Sequence, residues 1–348
     1  MDGFPLTKIF VFEYLTGGGI DPDVAGAGSL ADLSALIVEG RVMRDAIAAD
    51  LRALPGIDVT IASSRFEHVD AAYAHCKAEP GESVTRFVAR MARANDYACI
   101  IAPECDGLLL RLFDAVGAAR WLGCAKETIR AASSKSATAA CLAARGIAVT
   151  PALDPDDASP DDACRWVVKP DDGAGGLDTY VYGELNAARA EYQARAEAGR
   201  NPVLQAWVDG EPLSVSLICD DEGARVVSIN RQNIGLSHAA GKHIVQFDGV
   251  DVDRIDRHGP QGRALERLAL RVAEAFPGLR GFAGIDVVWN PARGPVVIEV
   301  NPRLTVAYAG LSHALARNLA AELLAAHHVA GFADERDSGP LRACQGAS

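Results

Sequence analysis

The sequence predicts a parallel α/β unit at the start of the chain, followed by an α+β region of antiparallel strands. Two patterns support this division. Through the first hundred residues, short apolar runs alternate with stretches of helical spacing, as in a small parallel sheet. From residue 203 onward, paired runs alternate apolar and polar residues, and the last pair, 284–289 and 295–300, is joined by the turn Asn290-Pro291-Ala292-Arg293-Gly294.

With 348 residues, 49% hydrophobic and 23% charged, the chain has the composition of a globular protein with room for two or three domains. A net charge of −12 argues against a nucleic-acid surface. No apolar run approaches the roughly 18–20 residues of a membrane span, and MDGFPLTK lacks the basic region of a leader. The eight cysteines, at 76, 99, 105, 124, 141, 164, 219 and 344, form no C-x-x-C pair and mostly lie in apolar runs. They read as reduced, buried small hydrophobes of a cytoplasmic protein.

Residues 8–13, KIFVFE, form the first expected strand, and Tyr14-Leu15-Thr16-Gly17-Gly18-Gly19 follows where a strand-to-helix loop belongs. Three successive glycines let a ligand approach the backbone and its N–H donors. G-x-G-x-x-G is absent, which speaks against a dinucleotide fingerprint. Helical spacing over 29–54 starts at Ser29 and stops at Pro55-Gly56. A strand at 57–62, a helix at 83–94 and a strand at 97–102 complete the unit. Ligands gather outside the carboxyl ends of strands in such sheets, which pairs Glu104 with loop 16–19 as pocket residues. Glu104 alternatively serves the dipole of a helix expected at 107–120.

Beyond Lys126, residues 133–138 lead into a helix at 139–144 that Gly146 ends, and 153–165 reads as an exposed loop rich in Asp and Pro. A strand at 166–170 carries Lys169 and runs into Asp171-Asp172-Gly173-Ala174-Gly175-Gly176. A lysine beside a glycine-rich loop suits phosphate, because a mobile point charge joins unobstructed backbone donors. G-x-x-x-x-G-K-[ST] is missing, so this is not a P-loop. A helix at 187–198, strands at 203–208, 213–219 and 226–230, a helix at 262–276 and a final helix at 311–329 follow. Past the strand at 226–230, Arg231 offers a bidentate partner for a substrate carboxylate. His238 and His243 have no third soft ligand nearby, which argues against zinc. Residues 331–348 read as a mobile tail.

The hairpin at 284–300 carries the densest chemistry. Glu299 and Asn301 are two apart and share a strand face, and pairing brings Asp286 opposite them. Carboxylate and amide oxygens of this kind suit a hard cation, Mg²⁺ or Mn²⁺, and Arg303 adds a guanidinium fork for phosphate or carboxylate.

D-x-V with E-x-N-P-R resembles the metal-binding end of the ATP-grasp carboxylate–amine ligases. EYLTGGG and EVNPRLTVAYAGLSHAL are similar to the branch that contains tyramine–glutamate ligase of methanofuran biosynthesis. The resemblance implies an ATP-grasp fold, in which an N-terminal parallel α/β (pre-ATP-grasp) domain at 1–125 precedes two α+β lobes clasping ATP, 126–205 and 206–332, before a tail at 333–348. It implies that Lys135 and Lys169 contact ATP phosphates and that Gly173, Gly175 and Gly176 fold over the triphosphate. Gln205, standing where Glu is commoner, and the backbone at Val208 would read adenine. Glu211 would hold the ribose, although it lies one residue before the usual acid position, which Pro212 occupies.

The same resemblance implies phosphoryl transfer from ATP to a carboxylate and attack of an amine on the acyl phosphate, with Mg²⁺ on Asp286, Glu299 and Asn301 and catalytic charge from Lys135, Arg231 and Arg303. For glutamate as donor and tyramine or tyrosine as acceptor, Arg231, Arg303 and the amides of Gly17, Gly18 and Gly19 would bind carboxylates, and Tyr14 and Tyr308 would wall an aromatic slot. Other readings stay open: a D-alanine–D-alanine-like or other peptide ligase, an ATP-binding regulator without turnover, and a dehydrogenase built on the first α/β unit. Substrates are expected to be small molecules, without nucleic acid or membrane, and the assembly a homodimer.

Overall fold

The computed structural model describes residues 6–20, 27–64, 67, 69, 73–156, 164–173 and 175–332. Strands β1 (Thr7–Glu13), β2 (Ile57–Ala62), β3 (Ala74–Cys76) and β4 (Tyr97–Ile101) form a parallel sheet in the order β3-β2-β1-β4. Ile9, Phe10, Val11 and Phe12 of β1 are all fully buried, as a central strand covered on both faces requires. Helix α1 (Ala27–Arg52) covers one face, and α2 (Val84–Ala94) and α3 (Leu108–Val116) the other. Ser83 caps α2 by accepting a hydrogen bond from the Arg86 amide. The helix expected to reach residue 120 stops at Val116, because Gly117 takes a left-handed φ of 82°. Strand β3 has three residues, too few for a readable alternation.

The second sheet has eight strands: β5 (Trp166–Pro170), β6 (Tyr180–Tyr182), β7 (Pro202–Ala206), β8 (Glu211–Asp220), β9 (Gly223–Ala239), β10 (Lys242–Asp251), β11 (Gly281–Asn290) and β12 (Gly294–Asn301). Their order is β12-β11-β8-β9-β10-β6-β5-β7, with every neighbour antiparallel. Strand β9 continues nine residues beyond the end expected at Asn230, and β10 pairs with its extension. Between the halves of this sheet, β6 meets β10 through the backbone pairs His243–Val181 and Ile244–Tyr180, a hydrogen bond from Val245 N to Thr179 O (3.0 Å) and the Lys242 ammonium, 3.4 Å from the centre of the Tyr180 ring.

Helices α4 (Lys126–Ala132) and α5 (Lys135–Ala143) bridge the two sheets, α6 (Leu185–Glu197) lies against β5–β7, and α7 (Pro260–Ala275) against β8, β9 and β12. The long helix expected at 311–329 is two short ones, α8 (Leu311–Ala314) and α9 (Leu319–Ala326). Ala316 takes φ 51° and Asn318 caps α9 through Ala321 N while donating to Asp50 O at 2.7 Å, so the break falls at the polar pair Arg317-Asn318 within an otherwise largely apolar stretch.

One core cluster runs from Phe10, Phe12 and Phe87 to Leu265 of α7 and Ile285 of β11; a second joins Ile47 and Leu51 of α1 to Leu319 and Leu323 of α9. Trp166, Val168, Tyr182, Ala188 and Leu204 form a separate small core under β5–β7. Cys99, Cys124 and Cys219 are buried, whereas Cys76, Cys105 and Cys141 are half-buried and Cys164 is exposed, so burial is not general among the cysteines. Among the described residues no helix is long and apolar enough to cross a membrane. Cys344 and the tail at 333–348 lie outside the described residues.

Candidate active site

A cleft of about 650 Å³ opens between the carboxyl end of the parallel sheet and one face of the large sheet. Tyr14, Lys135, Lys169, Gly173, Gly175, Gly176, Gln205, Val208, Asp286, Glu299, Asn301 and Arg303 all line it, gathered from positions up to 289 residues apart in the sequence. Helix α5 begins at Lys135, earlier than expected, because Asp171 holds its first turn: Asp171 accepts from Ser134 Oγ (2.6 Å) and from Ser136 N (2.8 Å). Asp171 thereby fixes the lysine against the end of β5 and the glycine loop, a role that its place in a polar loop sequence concealed.

Lys135 donates from Nζ to Gly173 O and lies 3.4 Å from Glu299 Oε1. Lys169, only 6% exposed, has no hydrogen bond or ion pair within 4 Å among the described residues. Burial and the neighbouring Lys135 charge push its pKa down to about 8. A buried cation without a direct counter-ion, facing a cleft beside a glycine loop, is an anion site. Gly175 and Gly176 sit at φ 66° and 70°, a left-handed path that brings backbone to the cleft wall.

Strand register builds the acidic corner. Asp286 stands opposite Glu299, with a bulge immediately after it, and Asn301 lies two residues beyond Glu299 on β12. Each Asp286 oxygen accepts one side-chain amide, from Gln232 Nε2 to Oδ1 (3.0 Å) and from Asn301 Nδ2 to Oδ2 (3.1 Å). Burial and the Glu299 charge raise the Asp286 pKa above the usual carboxylate range. Two facing carboxylates and an amide oxygen are hard donors, and a divalent cation there would favour the ionised form of both acids, so the residues fit Mg²⁺ or Mn²⁺. Among the described residues no three His, Cys, Asp or Glu converge, which leaves the remaining ligands of such an ion to phosphate and water.

Arg303, at the edge of this corner, is gripped by Glu104: Nε to Oε1 at 2.9 Å and the second nitrogen to Oε2 at 3.1 Å. Glu104 itself is 4% exposed and makes no helix-capping bond, so it orients the arginine and neither lines the cleft nor caps a helix.

Several expected site residues lie elsewhere. Ser214, Asn230, Gln232 and Asp286 share the cleft face of the sheet, and alternation turns Glu211 and Arg231 to the opposite face, which α7 covers. There Arg231 Nε donates to Glu211 Oε1 at 2.8 Å, and Gln261 of α7 donates to Glu211 Oε2 at 3.1 Å. Neither residue reaches the cleft. Gln232, one position along, does, and the two-residue period was the signal that distinguishes it from Arg231. Gly17 N and Gly19 N bond Glu13 O and Tyr14 O within the loop and are not open donors. These glycines allow close packing instead, since a Cβ would lie 2.7 Å from the Phe12 ring at Gly17 and 2.2 Å from the Tyr14 ring at Gly19. Tyr308 is core: its ring meets Phe282 edge-on and its hydroxyl donates to Asp50 at 2.7 Å. Val306 and Ala307 reach the cleft in its place. Gln205 does line it, with one Nε2 hydrogen already given to Thr150 O at 2.5 Å, which leaves its carbonyl and the second amide hydrogen to meet a ligand.

The family model of the ATP-grasp domain matches residues 132–307, and that of the pre-ATP-grasp domain matches 58–129. Tyramine–L-glutamate ligase of Methanocaldococcus jannaschii is 30% identical over 218 residues, 62% of this chain and 58% of that ligase, so the chain spans less than two thirds of that relative's length. Among solved structures, an ATP-grasp superfamily protein from Archaeoglobus fulgidus superposes with a TM-score of 0.66 at 24% identity, over 91% of this chain and 87% of that one. D-alanine–D-alanine ligase from Bacillus anthracis gives 0.59 at 14% identity, over 92% and 97%. At these identities the structural likeness is one of fold.

Proposed function

The chain belongs to the ATP-grasp family, and from that premise we propose that it is a ligase joining a carboxylate to an amine with hydrolysis of ATP to ADP and phosphate. The observation that carries this reading is the meeting, in one cleft, of the buried Lys169, the glycine loop and the facing acids Asp286 and Glu299. A carboxylate oxygen of the donor takes the γ-phosphoryl group of ATP and ADP departs; the amine nitrogen then attacks the acyl carbon, and phosphate leaves.

Lys169 and Lys135 hold the triphosphate by charge, and Gly175 and Gly176 bring backbone against it. Asp286, Glu299 and Asn301 would hold a divalent cation, which when bound would supply charge neutralisation for phosphoryl transfer. Gln232 and Asn301 keep Asp286 turned toward that position. Arg303, fixed by Glu104, meets the donor carboxylate or the transferring phosphoryl group without a reorganisation cost. Catalysis is positioning and electrostatics, with no protein nucleophile.

For substrates we propose glutamate and tyramine, or a related aromatic amine such as tyrosine, in biosynthesis of a methanofuran-type carrier. The support is the 30% identity to a ligase of that name and the apolar flank of the cleft, where Tyr14, Leu36 and Met43 suit an aromatic ring. A phosphate-release screen of paired amino acids and amines, with mass spectrometry of products, tests it. ADP and a glutamyl amide are the expected products. Turnover with D-alanine alone would replace this reading by a dipeptide ligase, and ATP binding without turnover on any pair would replace it by a regulator.

A further inference from the structure

We propose that Asp209 takes the ribose hydroxyls of the bound nucleotide, in place of the acid that the chain lacks at Pro212. This rests on the ATP reading above. Glu211 is turned to the far face, so among the described residues the carboxylate lining the cleft beside Gln205 and Val208 is that of Asp209. Arg165 and Trp207 Nε1 (3.1 Å) both donate to its Oδ1, and the Arg165 guanidinium also lies 5.4 Å above the Trp207 ring. With both donors on one oxygen, Oδ2 is the acceptor that remains for a vicinal diol. The backbone is held too: Asp209 O accepts from Asn290 Nδ2 at 2.8 Å, and Gly210, at φ 156°, lies so close that a Cβ would sit 2.3 Å from Trp289 O. Arg165 offsets the aspartate charge, so the carboxylate does not repel a polyphosphate bound further along the cleft.

The test is calorimetric binding of MgADP, 2′-deoxy-ADP and 3′-deoxy-ADP to the full chain. The native protein is expected to bind ADP about tenfold more tightly than at least one deoxy analogue, and Asp209→Ala to bind all three alike, near the weaker value. Glu211→Gln keeps the native preference. Asp209→Asn, which retains volume and one acceptor, serves if the alanine variant does not fold, and it should lose most of the preference. An Asp209 variant that discriminates like the native chain, or a native chain that binds ADP but ignores the missing hydroxyls, overturns this assignment and leaves the ATP reading standing. Absence of ADP binding by the native chain overturns both.

Discussion

Glu104 and Arg303 form a two-pronged ion pair across 199 residues of sequence, joining the end of the parallel sheet to the end of the metal-facing hairpin. The pair sets the direction of the guanidinium through the first domain, so under the proposed mechanism the first domain would contribute to catalysis through Arg303. Glu104→Gln keeps the shape of the acid and removes its charge. We expect turnover to fall by about 10- to 100-fold with a smaller change in ATP affinity; Glu104→Ala additionally loses roughly 3–5 kcal/mol of stability, because a buried arginine loses its partner. Steady-state kinetics and denaturant unfolding of the two variants measure this.

Asp286→Asn and Glu299→Gln each remove a charge from the acidic corner. Both should abolish ADP formation while circular dichroism and melting remain close to native, since neutralising one of two facing acids relieves repulsion. Normal turnover in either variant would refute the metal assignment.

Lys169 gives opposite effects on stability and binding. Its folded pKa of about 8 lies below the ordinary lysine value of 10.5, so below pH 8 the fold bears the full penalty of a buried ammonium, and stability rises as pH increases from about 8 to 10.5. Lys169→Met should therefore be more stable than native at pH 7, by up to roughly 3 kcal/mol, with that pH slope removed and ATP binding lost. Native ATP affinity should fall as pH passes upward through about 8. Urea unfolding across pH 7–10 and calorimetry with ATP check both halves.

Arg231 and Gln232 are neighbours with opposite fates. Arg231→Ala removes an ion pair that is half-exposed and should leave turnover within about twofold. Gln232→Leu takes away an Asp286 partner and should lower turnover by tenfold or more, with kcat affected more than KM for either substrate.

Where function depends on local spacing, the sequence was informative. The lysine and glycine pair at 169–176 and the D…E-x-N hairpin follow from strand period and turn chemistry, and both lie on the cleft. What failed was longer-ranged. Arg231 and Glu211 looked like site residues as long as the strand register was unknown, and a shift of one residue decides the face. Glu104 seemed to be a pocket or capping residue because its partner is 199 positions away. Tyr308 resembled a slot wall because an amphipathic aromatic reads alike in a pocket and in a core. Strand β10 was missed for a different reason: KHIVQFDGVD mixes polarity irregularly, since one of its faces borders a half-open cleft and not a uniform core.

The thin joint between β6 and β10 gives the molecule a mechanical character of its own. The small core of Trp166, Val168 and Leu204 is separate from the two larger ones, and the joint beside it rests on Val181, which is fully buried, and on the Lys242 ammonium against the Tyr180 ring. A joint with so few backbone pairs is where the jaw carrying Lys169 would swing toward the acids, and the width of the mouth would then be a property that a ligand sets. Amide exchange should accordingly be fastest along this line and slow when both jaws grip the same nucleotide.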